Sequence, residues 1–224
     1  MKAAFFDVDG TLTKERIWMG LMEYFRLRRE RRFIRTYFWV YHIPLYLSYR
    51  IGLIPQTRFR KPWAKHLAWF YRGYSVENAK EIWDWIAEEF LSSQWWEDSL
   101  ELVSDHQSAG DLVMLVSASP KPILEGIADR IGVKHAIGTD SEIRDGRYTG
   151  GIRGPVCIAE NKAKMTQQYL QDNNIEVDLS ECYAYADSPG DSHLLEMVGH
   201  PFATHPDDEL RVIAMERGWK ILPN

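Results

Sequence analysis

The chain has 224 residues and a formal net charge of −5, with 45% hydrophobic and 26% charged residues, which describes a folded soluble protein of one compact domain plus a sizeable insertion. The charge is uneven: Lys14 to Arg72 carries 14 Lys and Arg against 3 Glu, a net of +11 that leaves −16 for the remainder. The overall acidity gives no broad basic face for nucleic acid, and the split suggests that one segment meets an anionic partner, whether a phosphate ester, a lipid headgroup or the acidic remainder itself.

Met1 to Phe6 leads straight into Asp7 and Asp9, which a secretory signal would not carry, so a cytoplasmic location is expected. Ala3-Ala4-Phe5-Phe6 is a short apolar run and reads as a buried parallel strand. The next such run, Leu112 to Val116, lies about a hundred residues further on, far beyond the dozen or so that a simple crossover needs. An inserted domain over 14–94 is therefore expected. Its stretches 17–29, 31–47, 57–73 and 75–91 read as helices punctuated by Pro44, Pro55, Pro62 and Gly73. The second strand ends in Ser117-Ala118-Ser119-Pro120, and a helix over 122–131 follows. Asp145-Gly146, within 138–152, is a hairpin turn signal flanked by plausible strands. A helix over 159–171 precedes the third apolar run, Cys182 to Ala186, which ends on Asp187. Cys157 and Cys182 are too few and too far apart for a metal or redox motif and read as small buried hydrophobes. The predicted fold is α/β: a doubly wound, mainly parallel, Rossmann-like sheet built from 1–13 and 95–224, with an all-helical insertion after its first strand. Ligands of such sheets bind beyond the carboxyl ends of the strands, where three polar endings converge.

Two aspartates flanking Val8, followed by Gly10-Thr11-Leu12-Thr13 after an apolar strand, form the strongest chemical signal. Each candidate residue also has a plain structural reading. Ser117 fits a strand-end cap, Lys162 a solvated helix residue, and Asp187 and Asp191 around Pro189-Gly190 a turn. Together they form an ordered set. Phe5 to Thr13 resembles motif I of the haloacid dehalogenase superfamily, and Ser117, Lys162 and Asp187-Ser188-Pro189-Gly190-Asp191 resemble motifs II, III and IV. Lys164 and Ser119 are second candidates for the lysine and serine. The insertion after motif I is most similar to that of the phosphoserine phosphatase branch.

Phosphoryl transfer needs an in-line nucleophile, neutralised equatorial oxygens and a proton for the leaving alkoxide. The resemblance implies that Asp7 is the nucleophile, forming an aspartyl phosphate, and that Asp9 protonates the leaving oxygen and then deprotonates water. Clustered carboxylates beside an anionic substrate require a cation, and magnesium prefers such oxygen ligands. By resemblance its ligands are the Asp7 and Asp187 carboxylates and the Asp9 carbonyl, with Asp191 in the outer shell. Ser117 or the main-chain amides after it, beginning at Ala118, and Lys162 would hold the phosphoryl oxygens.

The resemblance makes residues 14–94 a cap that supplies substrate contacts. Phosphoserine phosphatases place a glutamate seven residues after the second aspartate; here that position is Arg16, with Glu15 adjacent. The reversed charge disfavours a substrate ammonium. Arg26, Arg28, Arg29, Arg31, Arg32 and Arg35 precede Tyr37-Phe38-Trp39-Val40-Tyr41, a basic and aromatic pattern that points to a larger, partly apolar and lipid-like phosphomonoester. The run 33–54 is broken by Arg35, His42, Pro44 and Arg50, which argues against a transmembrane helix. A helical cap with an aromatic core is the favoured reading, and an interfacial helix giving peripheral contact at the inner membrane surface is the alternative. Two rival functions stay open: phosphotransfer to an acceptor other than water, and a membrane- or nucleic-acid-binding module with a relic core. No nucleic-acid partner is expected, and His42, His66, His193, His200 and His205 show no ligand spacing.

Overall fold

The computed structural model describes residues 1–223. Its centre is a six-stranded sheet built from β1 (Ala3–Phe6), β2 (Leu112–Pro120), β3 (His135–Thr139), β6 (Tyr183–Ala186), β7 (His200–Thr204) and β8 (Lys220–Leu222). The strand order is β3-β2-β1-β6-β7-β8, and each of these pairings is parallel. The order reverses at β1, with β2 and β3 on one side and β6 to β8 on the other, which opens a crevice at the carboxyl ends of β1, β2 and β6. β4 (Ser141–Arg144) and β5 (Arg147–Ile152) form a separate antiparallel hairpin around the Asp145-Gly146 turn.

Alternation along β1 explains why its whole sequence is apolar. Ala3 and Phe5 pack on one face of the sheet with Met114, Val116 and Ala184, whereas Ala4 and Phe6 pack on the other with Leu115. The second cluster does not stop at the sheet. It continues through Leu12 and Ile17 into Phe25, Phe38, Phe70 and Ile82, so the helical insertion shares one apolar core with the strands.

The insertion consists of α1 (Ile17–Leu27), α2 (Arg32–Arg50), α3 (Gln56–His66) and α4 (Val76–Trp85), with a 3₁₀ turn over Leu67–Trp69 and a π turn over Ile86–Phe90. Chain entry and exit run side by side. Lys14 N–H donates to the Gln94 carbonyl (2.6 Å), and Trp96 N–H donates to that of Leu12 (2.9 Å). A third attachment comes from the hairpin. Gly73 N–H donates to Tyr148 O (2.7 Å), Tyr148 N–H to Tyr74 O (3.0 Å) and Val76 N–H to Gly146 O (3.0 Å).

Pro44 and Pro62, expected to punctuate helices, lie inside α2 and α3 instead. Each removes one backbone hydrogen bond, and an interior proline costs about 3 kcal/mol in an isolated helix. Burial outweighs that cost here, because Phe38 of α2 and Trp63 of α3 pack edge to face at 4.9 Å. The remaining helices, α5 (Glu97–Ala109), α6 (Lys121–Arg130), α7 (Glu160–Asp172), α8 (Ser192–Glu196) and α9 (Asp208–Arg217), accompany the sheet. Among the described residues no helix is long and apolar enough to cross a membrane.

Candidate active site

Asp7 is the first residue beyond β1, and the chain must turn at once to leave the sheet. Gly10 makes that turn at φ +99°, where the Val8 carbonyl accepts from the amides of Leu12 and Thr13, each at 3.0 Å. A side chain at Gly10 would also collide with Asp187 Oδ2. The turn leaves Asp9 half-buried at the start of α1, where Ile17 N–H donates to its Oδ1 at 2.5 Å. From the end of β2, Ser119 Oγ donates to Asp9 Oδ2 at 3.0 Å and Ser117 Oγ at 3.4 Å.

Lys162 enters from the first turn of α7. Its Nζ lies 2.5 Å from Asp7 Oδ1 and also pairs with Asp191 Oδ1, and the three side chains are only 4–5% exposed. Lys164 points elsewhere, to Glu160 at the surface (2.8 Å). Of the two lysine candidates, Lys162 alone meets the aspartates. Asp187 follows β6 and Asp191 ends the short turn over Pro189–Asp191, so both return to the crevice beside Asp7. One carboxylate oxygen from each of Asp7, Asp187 and Asp191 lies within 4.8 Å of the others.

Burial raises the Asp7 carboxyl to about 7, against the lowering pull of Lys162 and with the nearby aspartates adding to the rise. Asp187 is pushed up to about 6 by burial, opposed by Arg16. Burial also works against the Lys162 ammonium, but Asp191 and Asp7 outweigh it and hold the lysine pKa above its usual value. Such opposed shifts mark a site in which carboxylates are held together by fixed positive charge.

Arg16 sits at the cavity's inner edge. Its Nη2 lies 2.9 Å from Asp187 Oδ2 and its Nη1 donates to the Asp9 carbonyl, so it neutralises the aspartates directly. Above them opens a cavity of about 470 Å³. Asp7, Asp9, Ala118, Lys162, Asp187 and Asp191 line its floor, and Trp18, Trp39, Ile43, Tyr46, Phe59 and Trp63 line its walls. Ser117 is fully buried and bonded to Asp9 and the Ser119 amide, so Ala118 is the residue of that pair that faces the cavity. Glu15 does not line it, although Arg16 does.

Ser119 stood only as a second candidate in the sequence, and Arg60 was not legible there as a site residue. Ser119 is the closer of the two serines to Asp9, and only the extension of β2 to Pro120 reveals it. Arg60 of α3 lines the cavity near motif IV, where a Cβ on Gly190 would lie 3.1 Å from its Nη1. One arginine among 14 basic residues in that segment carries no distinguishing signal.

The model of the haloacid dehalogenase-like hydrolase family matches residues 4–196. Phosphoserine phosphatase SerB1 of Mycobacterium tuberculosis is 33% identical over 222 residues, covering 98% of this chain and 70% of that protein. Histidinol-phosphatase of Neisseria meningitidis is 32% identical over 179 residues, 79% of each. A crystal structure of a protein of unknown function from Bordetella pertussis superposes with a TM-score of 0.83 at 28% identity, covering 99% of this chain and 98% of that one. With its motif residues gathered at the switch point of a parallel sheet, the chain belongs to the haloacid dehalogenase-like hydrolases.

Proposed function

We propose that the chain is a magnesium-dependent phosphomonoesterase that works through an aspartyl phosphate on Asp7. The observation that carries this reading is the meeting of Asp7, Asp9, Lys162, Asp187 and Asp191 on the floor of one cavity. Two relatives named as phosphatases favour hydrolysis over transfer to another acceptor.

Asp7 attacks phosphorus in line, the ester P–O bond breaks, and Asp9 gives its proton to the departing alkoxide. Water then attacks the phosphoryl group, Asp9 takes the water's proton, and phosphate leaves with Asp7 regenerated. Lys162 holds charge on Asp7 and on the phosphoryl oxygens beside it, while Ala118 faces the same floor. Ser117 and Ser119 fix the Asp9 carboxylate in position rather than meeting substrate themselves.

The donor set suits a hard divalent cation. Asp7, Asp187 and Asp191 are buried together, and Asp187 Oδ1 has no hydrogen-bond partner among the described residues. Asp7, Asp187 and the Asp9 carbonyl would hold it, with Asp191 behind them, and Arg16 would give up its contacts there. Magnesium held there would neutralise the carboxylates and polarise the phosphoryl oxygens.

Residues 14–94 act as the cap over a core formed by 1–13 and 95–224, a division supported by the paired entry and exit strands. Among the described residues, the cap's aromatic wall carries no carboxylate away from the floor, so a substrate amine finds no counter-ion on it. The fitting substrate is a phosphomonoester with a large apolar body, lipid-like rather than a small amino-acid or sugar phosphate. A phosphate-release panel with magnesium tests this. Bulky aryl and alkyl phosphates are expected to exceed phosphoserine and histidinol phosphate in kcat/KM. EDTA and Asp7→Asn should each abolish turnover. Undiminished hydrolysis in EDTA overturns the metal dependence, and preference for phosphoserine overturns the substrate class.

A further inference from the structure

α2 has three faces with different surroundings. Phe38 and His42 are buried, turned inward against Trp63. Trp39, Ile43 and Tyr46 line the active cavity and are still 37%, 47% and 40% exposed at its rim. The third face is Phe33, Tyr37, Val40, Pro44, Leu47 and Ile51. Their spacing alternates four and three residues, so they fall in one arc of about 80° along the helix and into its C-terminal cap. Phe33 is 93% exposed, Val40 65% and Ile51 71%, so this apolar stripe faces outward along the full length of α2. An uninterrupted apolar stripe of this length on a protein surface marks a binding face.

The charge around the stripe says what it meets. Between Arg26 and Lys65 the chain carries 11 Lys and Arg, with Glu30 as the only acidic residue. Arg26 and Arg28 are engaged by Glu23 and Glu81. Among the described residues, Arg29, Arg32, Arg35, Arg50, Arg58 and Lys61 have no carboxylate partner within salt-bridge distance. A second copy of the chain on this face would bring two such segments together, a like-charge juxtaposition that opposes association. An anionic lipid surface offers the complementary charge, and Tyr37, Trp39, Tyr41 and Tyr46 are the ring types that settle at headgroup depth.

We infer that α2 seats this enzyme on an anionic bilayer, its outward stripe sunk at the headgroup boundary and its flanking arginines on lipid phosphates, so that the cavity mouth opens at the lipid surface. Because Trp39, Ile43 and Tyr46 belong to the same helix, a lipid phosphate reaches Asp7 past these rings while its chains stay in the bilayer. That second step rests on the phosphomonoesterase reading above; the docking does not.

The test uses the full chain in vesicle flotation, with phosphatidylcholine alone or mixed with phosphatidylglycerol, beside p-nitrophenyl phosphate hydrolysis in the same samples. Flotation is expected with the anionic vesicles only and should weaken as salt rises. Phe33→Glu with Leu47→Glu should lower the partition at least about tenfold, since two apolar contacts are replaced by charges the surface repels. The same variant should keep its p-nitrophenyl phosphate turnover but lose turnover of phosphatidic acid presented in the vesicles. Arg29→Gln and Arg32→Gln should each cost about fivefold in partition. Absence of flotation by an active enzyme overturns the docking, as does a stable dimer in light scattering that Phe33→Glu with Leu47→Glu splits without any change in flotation. Flotation without hydrolysis of any ester supports the docking and overturns the phosphatase reading.

Discussion

Replacing Lys162 with methionine keeps a stem of similar length but removes the ammonium between Asp7 and Asp191. All three side chains are only 4–5% exposed, so solvent compensates the charges left behind poorly. Losing one partner of a buried ion pair costs about 3–5 kcal/mol, because the remaining charges stay buried without compensation. A domain of this size loses about 2–4 °C in Tm per kcal/mol, so Lys162→Met should lower Tm by roughly 6–20 °C in EDTA. The deficit should be largest above about pH 7 and shrink as pH falls to that value, because Asp7, freed from the lowering pull of Lys162, binds its proton at higher pH than in the parent and is then buried uncharged. Differential scanning calorimetry across pH measures this directly. Lys164→Met is the control: its pair with Glu160 at 2.8 Å lies at the surface, where water and salt screen it, so its loss should leave Tm nearly unchanged. Lys162→Met should also reduce kcat by a factor on the order of 10²–10³, the usual cost of one preorganised charge. Equal melting temperatures for the two lysine variants would refute the reasoning.

Three further outcomes follow from the same geometry. Burial holds Asp7 at about 7 and Asp187 at about 6, both above the usual carboxylate value of 3.8, so between those limits the folded chain binds protons that the unfolded chain has released. Stability in EDTA should therefore fall as pH rises from about 4 to about 7, and thermal melts showing a rise would contradict the assignment. Asp9→Asn cannot supply the leaving-group proton and should slow alkyl esters far more than p-nitrophenyl phosphate, whose phenolate leaves unaided; equal losses in kcat would remove Asp9 from that role. Phe38→Ala deletes a fully buried ring at the junction of α2, Trp63 and Phe70, and should cost about 3–5 kcal/mol in urea denaturation.

Those predictions draw on parts of the protein that differed in legibility. β1, β2 and β6 were readable because strands buried on both faces have continuous apolar sequences, and their polar endings located Asp7, Ser117 and Asp187. The helices of the insertion were also readable, but not their ends. Pro44 and Pro62 signalled breaks that inter-helix packing overrode. β7 and β8 carried no comparable signal, since His200-Pro201-Phe202 mixes polar, proline and aromatic residues at one end of the sheet. At the site, carboxylates at fixed spacing from a strand end stood out from sequence. Arg60 and the aromatic wall did not, because their roles depend on how α2 and α3 fold over the sheet. Ser119 ranked only second for a smaller reason: β2 runs three residues beyond Ser117, to Pro120, which brings the second serine to Asp9.

The seam between residues 73–76 and the β4–β5 hairpin divides the insertion mechanically. Its three backbone hydrogen bonds, together with Arg147 Nη1 donating to the Gly73 carbonyl at 2.8 Å, tie the start of α4 to the catalytic half. Swinging the whole insertion as one lid would sacrifice all four, at about 0.5–1.5 kcal/mol each. A hinge placed before Gly73 sacrifices none of them. Tyr71, whose hydroxyl lies 2.9 Å from Ser141 Oγ, adds a further tie just upstream, so any such hinge lies before Tyr71 and leaves α4 as a fixed jamb.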